Sequence, residues 1–194
     1  EERGLTNLKK CSPKRLMKHL SEAARKDGTI DREAVVSIVI RLIGESHGMP
    51  ASYAHNLINA LHRLLDGIDH LVKTGLVDRK KVGVTGGSYG GFASAWCATK
   101  LTEHFAAAVM FVGISNQISK SGTTDIADEM FHVHARKRIW DDWEFFLKRS
   151  PIYYVEQART PILILHGKED TRVHPSQSME LYRNLKILGK TPVR

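Results

Sequence analysis

The sequence predicts an α/β chain: a parallel sheet covered by helices, preceded by a mainly helical N-terminal segment. Three observations predict it. Residues 1–75 carry apolar side chains at helical spacing, with capping residues at the breaks. From Lys81 onward, short apolar runs of strand length alternate with stretches of helix length, which is the pattern of a parallel sheet. The 194 residues are 42% hydrophobic and 26% charged, ordinary for a globular protein. That composition excludes wholesale disorder and collagen-like sequence. The longest apolar stretch, Phe105–Ile114, is far short of the roughly 18–20 residues that span a bilayer.

Ser12-Pro13 starts a first helix as N-cap and first helical proline, with Leu16, Met17, Leu20, Ala23 and Ala24 at helical spacing and Gly28 as its end. Thr29 or Asp31 caps a second, containing Val35, Val36, Ile38, Ile40 and Ile43. Its β-branched density also fits a strand. After the break at Gly44–Gly48, Pro50-Ala51 opens a long third helix that places Leu57, Ile58, Leu61, Leu64, Leu65, Ile68, Leu71 and Val72 on one side and stops at Gly75. The alternating part then reads as follows: strand Lys81–Thr85, glycine-rich turn Gly86–Gly91, helix Phe92–Lys100 and buried strand Ala106–Gly113. A polar irregular stretch, Ser115–Glu129, leads to an aromatic-rich helical stretch, Met130–Lys148. Strand Pro161–His166 and helix Pro175–Leu188 follow, and Thr191–Arg194 reads as the start of another strand.

The net charge is +8, and the basic residues are densest in Lys9–Lys26. A solvated helix face explains that cluster. Neither an RNA-binding aromatic pattern nor zinc-finger spacing accompanies it, so no nucleic-acid or membrane partner is expected. A helix-turn-helix around Gly44–Gly48 is a weak alternative, because the basic residues fall mainly on the first helix. Cys11 and Cys97 make no disulfide framework and no zinc pattern. Lys26–Asp31 looks like the middle of a calcium loop, but Ala23, Arg25 and Ala34 stand at its other ligand positions. No metal and no cofactor is expected. Glu1-Glu2-Arg3 shows no secretory signal, and the compartment is left open.

The motif that carries chemistry is Gly86-Gly87-Ser88-Tyr89-Gly90, set between a strand and a helix. A nucleophilic serine must project from a sharp turn. Glycines two residues to either side avoid a clash as the helix packs back on the strand. The N–H of Tyr89 then points at the developing oxyanion, assisted by the helix dipole. A phosphate-cradling loop would need a following Lys-Ser/Thr or different glycine spacing. Asp170 lies 82 residues after Ser88, in the loop following a buried strand. Serine triads on such sheets run in the order Ser, Asp, His, so Asp170 fits as the acid that orients the imidazole.

Gly86-Gly87-Ser88-Tyr89-Gly90-Gly91 together with His166-Gly167-x-x-Asp170-x-Arg172-Val173 resembles the prolyl oligopeptidase family of serine peptidases, in its acylaminoacyl-peptidase and dipeptidyl-peptidase-like branch. The similarity runs from about Leu65 to Arg194, through Gly75-Leu76-Val77-Asp78 and Ser150-Pro151-Ile152-Tyr153. It implies an α/β-hydrolase fold and hydrolysis of short peptides through an acyl-enzyme, with Ser88 as nucleophile and Asp170 as orienting acid. It also implies that Arg172 touches a substrate carbonyl. The family's histidine follows the acid by a few tens of residues, whereas this chain ends 24 residues after Asp170. The expectation is a partial catalytic domain over 65–194, cut before its histidine. Residues 1–64 form a helical segment of unknown role, matching none of the strands, second oxyanion donor or β-propeller found upstream in the family.

Ten histidines are present, and none is expected to complete a normal triad. His166 reads as structural. His174 sits too near Asp170, ahead of Pro175. His132-Val133-His134, near Asp125 and Asp128, could hold a metal only if a strand put both rings on one face. Trp140, Trp143, Phe145 and Phe146 read either as core or as a pocket wall. Two alternatives to the peptidase remain: an esterase on the same fold, and a catalytically incomplete interaction module.

Overall fold

A computed structural model describes residues 53–194, with side chains from residue 58 onward. The first two expected helices, the Lys26–Asp31 loop and the basic stretch Lys9–Lys26 lie outside the described residues. The chain divides into two units, Glu1–Arg79 and Lys80–Arg194.

In the first unit the expected third helix is α1 (Tyr53–Lys73). Leu61, Leu65 and Leu71 are its buried positions, at spacings that return to one face of a 3.6-residue helix. It stops where Gly75 takes φ 77°, the left-handed cap that glycine adopts without a side-chain penalty. The N–H groups of Gly75 and Leu76 bond back to the carbonyls of Val72 and Leu71. Arg79 pairs with Asp69 of the helix.

The second unit is built on three parallel strands, β1 (Gly83–Gly87), β2 (Ala107–Phe111) and β3 (Ile162–Leu165), in the order β1-β2-β3. Gly87 lies opposite Phe111, and Phe111 opposite Leu165. The strand expected at Thr191–Arg194 is present as its first contacts: Val193 bridges Ile162 in parallel, and Ile164 N–H donates to the Arg194 carbonyl at 2.7 Å. The first crossover is α2 (Tyr89–Thr99), which lies across β1 and β2. Ala95 and Ala98 of α2 join Ala108, Met110 and Ile162 of the sheet in one core. Leu181 and Leu185 of the last helix complete it. Small residues on α2 let the helix axis come close to the sheet. Its buried hydroxyls, Ser94 and Thr99, bond back to the carbonyls of Gly90 and Ala95, so neither hydroxyl is stranded there. On the opposite face of the sheet Phe111, Leu163 and Leu165 are exposed.

The structure departs from the sequence reading in two places. Gly86 and Gly87, expected in a turn, are the last residues of β1, and α2 starts at Tyr89 rather than Phe92. The turn is the single residue Ser88. The long stretch between β2 and β3 is also cut differently. Ser115–Glu129, expected to be irregular, contains α3 (Gln117–Thr123). Asn116 caps it by accepting from the N–H groups of Ile118 and Ser119. Met130–Lys148, expected to be one helical stretch, is three pieces. A π-helical turn, Met130–Ala135, stops where Arg136 adopts φ 56°. A 3₁₀ turn, Ile139–Asp141, follows. Asp142 then caps a fresh helix, α4 (Trp143–Lys148), through the Phe145 N–H. The last helix, α5 (Ser176–Leu188), follows Pro175 and ends at Gly189, φ 62°. Among the described residues no helix is long and apolar enough to cross a membrane.

Candidate active site

β1 delivers the chain to Ser88, which takes φ 57° and ψ −117°. A side chain at positive φ outside glycine costs on the order of 1–3 kcal/mol and persists only where its surroundings hold it. Here they do. The Ser88 N–H donates to the Phe111 carbonyl at 3.1 Å, and its carbonyl accepts from Phe92 N–H at 2.9 Å. A Cβ on Gly86 would lie 2.6 Å from the Gly90 backbone, and one on Gly91 would lie 2.5 Å from Gly113 Cα. Strand and helix therefore close directly on Ser88, whose side chain is exposed. The sequence reading asked for a missing side chain at Gly86 and Gly90. The close contacts fall at Gly86 and Gly91 instead, and a Cβ on Gly90 would meet nothing.

Tyr89 opens α2, so its N–H belongs to the first turn of an 11-residue helix, where the dipole favours negative charge. Its side chain is buried. The ring stacks on His134 with centroids 4.3 Å apart, and the hydroxyl points at Met130 Sδ, 3.9 Å away.

Asp170 follows β3. Because the strands are parallel, it lies at the same sheet edge as Ser88. The two strands leading to these residues stand two spacings apart, on the order of 10 Å. Asp170 Oδ1 accepts from the N–H groups of Arg172 (3.0 Å) and Val173 (2.9 Å). That fixes the carboxylate on its own loop. Its Oδ2 lies 3.8 Å from His166 Nε2. The His166 ring is occupied on both sides: Nε2 with the Val173 carbonyl at 2.6 Å, and Nδ1 with Ser178 Oγ at 2.6 Å. A carbonyl only accepts, so Nε2 donates to Val173, while Nδ1 shares a hydrogen bond with the Ser178 hydroxyl. His166 thus ties the Asp170 loop to α5. His174 Nδ1 meets the Ser176 hydroxyl and N–H and belongs to the start of α5. Among the described residues no imidazole hydrogen-bonds Ser88.

Arg172 Nε donates to Asp125 Oδ1 at 2.7 Å, and Thr171 Oγ1 donates to Oδ2 at 2.9 Å. These two hydrogen bonds hold the Asp125 carboxyl below the usual carboxylate range. The Thr124 hydroxyl bonds the Arg172 carbonyl, so the loop after α3 and the loop after β3 are laced together. The guanidinium itself is largely exposed. Of the aromatic group, Phe146 is core, packed with Met130 and Ala135, while Trp140 and Trp143 are exposed. His132 is exposed and His134 buried.

Sequence reasoning missed Lys120. It is buried in α3, with Nζ 3.3 Å from Met130 Sδ and 5.9 Å from the centre of the Tyr89 ring. Reading Asn116 as a helix cap would have put Gln117 and Lys120, three apart, on one inward face.

The sequence profile described as the prolyl oligopeptidase family matches residues 51–194. The chain belongs to the prolyl oligopeptidase family. It is 36% identical over 155 residues to a Bacillus subtilis protein described as uncharacterized peptidase YuxL, covering 75% of this chain and 23% of that one. It is 37% identical over 123 residues to the rat acylamino-acid-releasing enzyme, covering 60% and 17%. The solved Pyrococcus horikoshii acylaminoacyl peptidase superposes with a TM-score of 0.62 at 31% identity, over 68% of this chain and 21% of that one. The fold is that of the α/β-hydrolase peptidases. The chain spans less than a quarter of the length of these curated relatives.

Proposed function

We propose that this member of the prolyl oligopeptidase family is a serine peptidase segment that cleaves short peptides through an acyl-enzyme on Ser88. The observation that carries the reading is the exposed Ser88 at positive φ between β1 and α2. That conformation presents Oγ to solvent above the sheet edge and leaves the Tyr89 N–H at a helix start, where an oxyanion is stabilised. In the reaction, Ser88 Oγ attacks the acyl carbon while an imidazole takes its proton. The amine leaves with that proton, and water then releases the acyl group. Asp170, held by two loop N–H groups, orients the imidazole. Arg172, steadied by Asp125, offers its guanidinium to a substrate carbonyl. Relatives named acylamino-acid-releasing enzymes support a peptide substrate. So does the acylaminoacyl peptidase, 31% identical, solved with Z-Gly-Gly-Phe-chloromethyl ketone.

The test is labelling of the 194-residue chain with a fluorophosphonate, with and without added imidazole to act as base. Labelling is expected at Ser88, absent from Ser88→Ala and slowed by orders of magnitude in Asp170→Asn. Equal labelling of Ser88→Ala, or a chain unlabelled under both conditions, overturns the reading.

A further inference from the structure

Lys120 is a buried amine whose ammonium meets a sulfur and an aromatic ring. It is 2% exposed, and the hydrogen bond its ammonium makes is to a thioether, Met130 Sδ at 3.3 Å. An ammonium carries three donors, and a sulfur is a weak acceptor. Glu129, Asp125 and Arg172 act on it only through their fields. Glu129 is engaged with His134 Nε2 at 3.3 Å, and Asp125 with Arg172. Burial pushes the amine down to about 8. Lysine is almost never fully buried unless it is paired, and an apolar side chain of similar length, methionine, would avoid the cost. Lys120 borders the residue after Ser88 through that residue's side chain: the same sulfur it touches receives the Tyr89 hydroxyl, its Nζ lies 5.9 Å from the centre of the Tyr89 ring, and that ring also packs against His134. Tyr89 in turn carries the N–H that follows Ser88.

We propose that Lys120 is a positioning residue of the serine site: its ammonium, buried against Met130 and near the Tyr89 ring, holds the side chain of the first residue of α2 and acts on the Ser88–Tyr89 peptide through that side chain and its field. The consequence for rate rests on Ser88 being the nucleophile; the coupling between Lys120 and that peptide does not. A positive charge in a poorly solvated place favours an oxyanion formed at the Tyr89 N–H. Acylation should therefore run faster with Lys120 protonated than neutral.

Two measurements on the 194-residue chain decide it. Carbon-detected NMR follows Ser88 C′ and Tyr89 N as pH is raised, beside Lys120→Met and Lys120→Arg. We expect a step near pH 8, lost in both variants, with the arginine chain keeping the low-pH peak positions. A step that comes from any other group, such as one in contact with Tyr89, would persist in all three. No step near pH 8, or one that survives both substitutions, overturns the proposal. The second measurement is the fluorophosphonate rate at Ser88 against pH. It should fall several-fold above the Lys120 step in the native chain, stay level in Lys120→Arg and be low throughout in Lys120→Met. An unchanged alkaline limb in both variants also overturns it. A chain that shows the NMR step but never labels separates failure of the serine reading from failure of the coupling.

Discussion

Gly90 and Gly91 are neighbours at the start of α2 and are held there for different reasons. A Cβ on Gly90 would meet nothing within 4 Å, whereas one on Gly91 would lie 2.5 Å from Gly113 Cα and 2.6 Å from the Phe111 carbonyl oxygen. Both obstacles are backbone, so relief requires the helix to lift from β2. Gly91→Ala is expected to destabilise the chain by about 3 kcal/mol, the upper range for overpacking. Gly90→Ala, in a helix with open space, should gain up to about 1 kcal/mol. Urea unfolding of the two variants measures the contrast, and equal midpoints would refute it. The candidate serine and acid were legible at this scale because a glycine-flanked serine turn after a strand and an acid in the loop after another strand leave sequence signatures. Lys120 left none. Its environment is made by Tyr89 and Met130, 31 residues before it and 10 after, and no local pattern encodes that meeting.

At the scale of elements, one side chain joins the loop after β2 to α5. Gln177 is fully buried. Its Oε1 accepts from the N–H groups of Ser115 (3.1 Å) and Asn116 (2.9 Å), and its Nε2 donates to Ser119 Oγ at 2.7 Å. Gln177→Leu would leave the buried Ser115 N–H and the partly buried Asn116 N–H and Ser119 hydroxyl without this amide, at about 1–3 kcal/mol for each group left unsatisfied. The expected result is a loss of several kcal/mol in urea unfolding. A loss under 1 kcal/mol would mean that water or a shifted loop replaces the amide. The same contacts explain what the sequence concealed. The strands and α5 were readable from their apolar runs, and their ends moved by a residue or two. The 112–161 stretch was not, because capping side chains and long-range hydrogen bonds divide it, not periodicity. Asn116 and Asp142 each begin a helix shorter than eight residues, too short for a repeat to show. Arg136 breaks the middle from a left-handed conformation that arginine does not advertise.

For the whole molecule, Lys120 makes stability depend on pH in a direction opposite to that of a paired lysine. Its folded-state pKa, about 8, lies below the ordinary 10.5, so between those values the folded chain binds fewer protons than the unfolded one. Stability therefore rises across that window. Below about pH 8 the full burial cost is present, up to about 3 kcal/mol. Lys120→Met should be more stable than the native chain at neutral pH, and the difference should shrink toward pH 10; a constant difference would refute it. This chain is thus held below its own best stability at neutral pH by Lys120. The sheet has a consequence of another kind. Parallel sheets ordinarily wear a layer on each side, and among the described residues of the second unit the large apolar side chains Phe111, Leu163 and Leu165 are exposed. Against a net charge of +8, which keeps copies apart at low salt, added salt will screen the repulsion and leave the oily face to act. The purified chain should be clear in dilute buffer and turbid in concentrated salt, with a hydrophobic dye brightening before the turbidity appears.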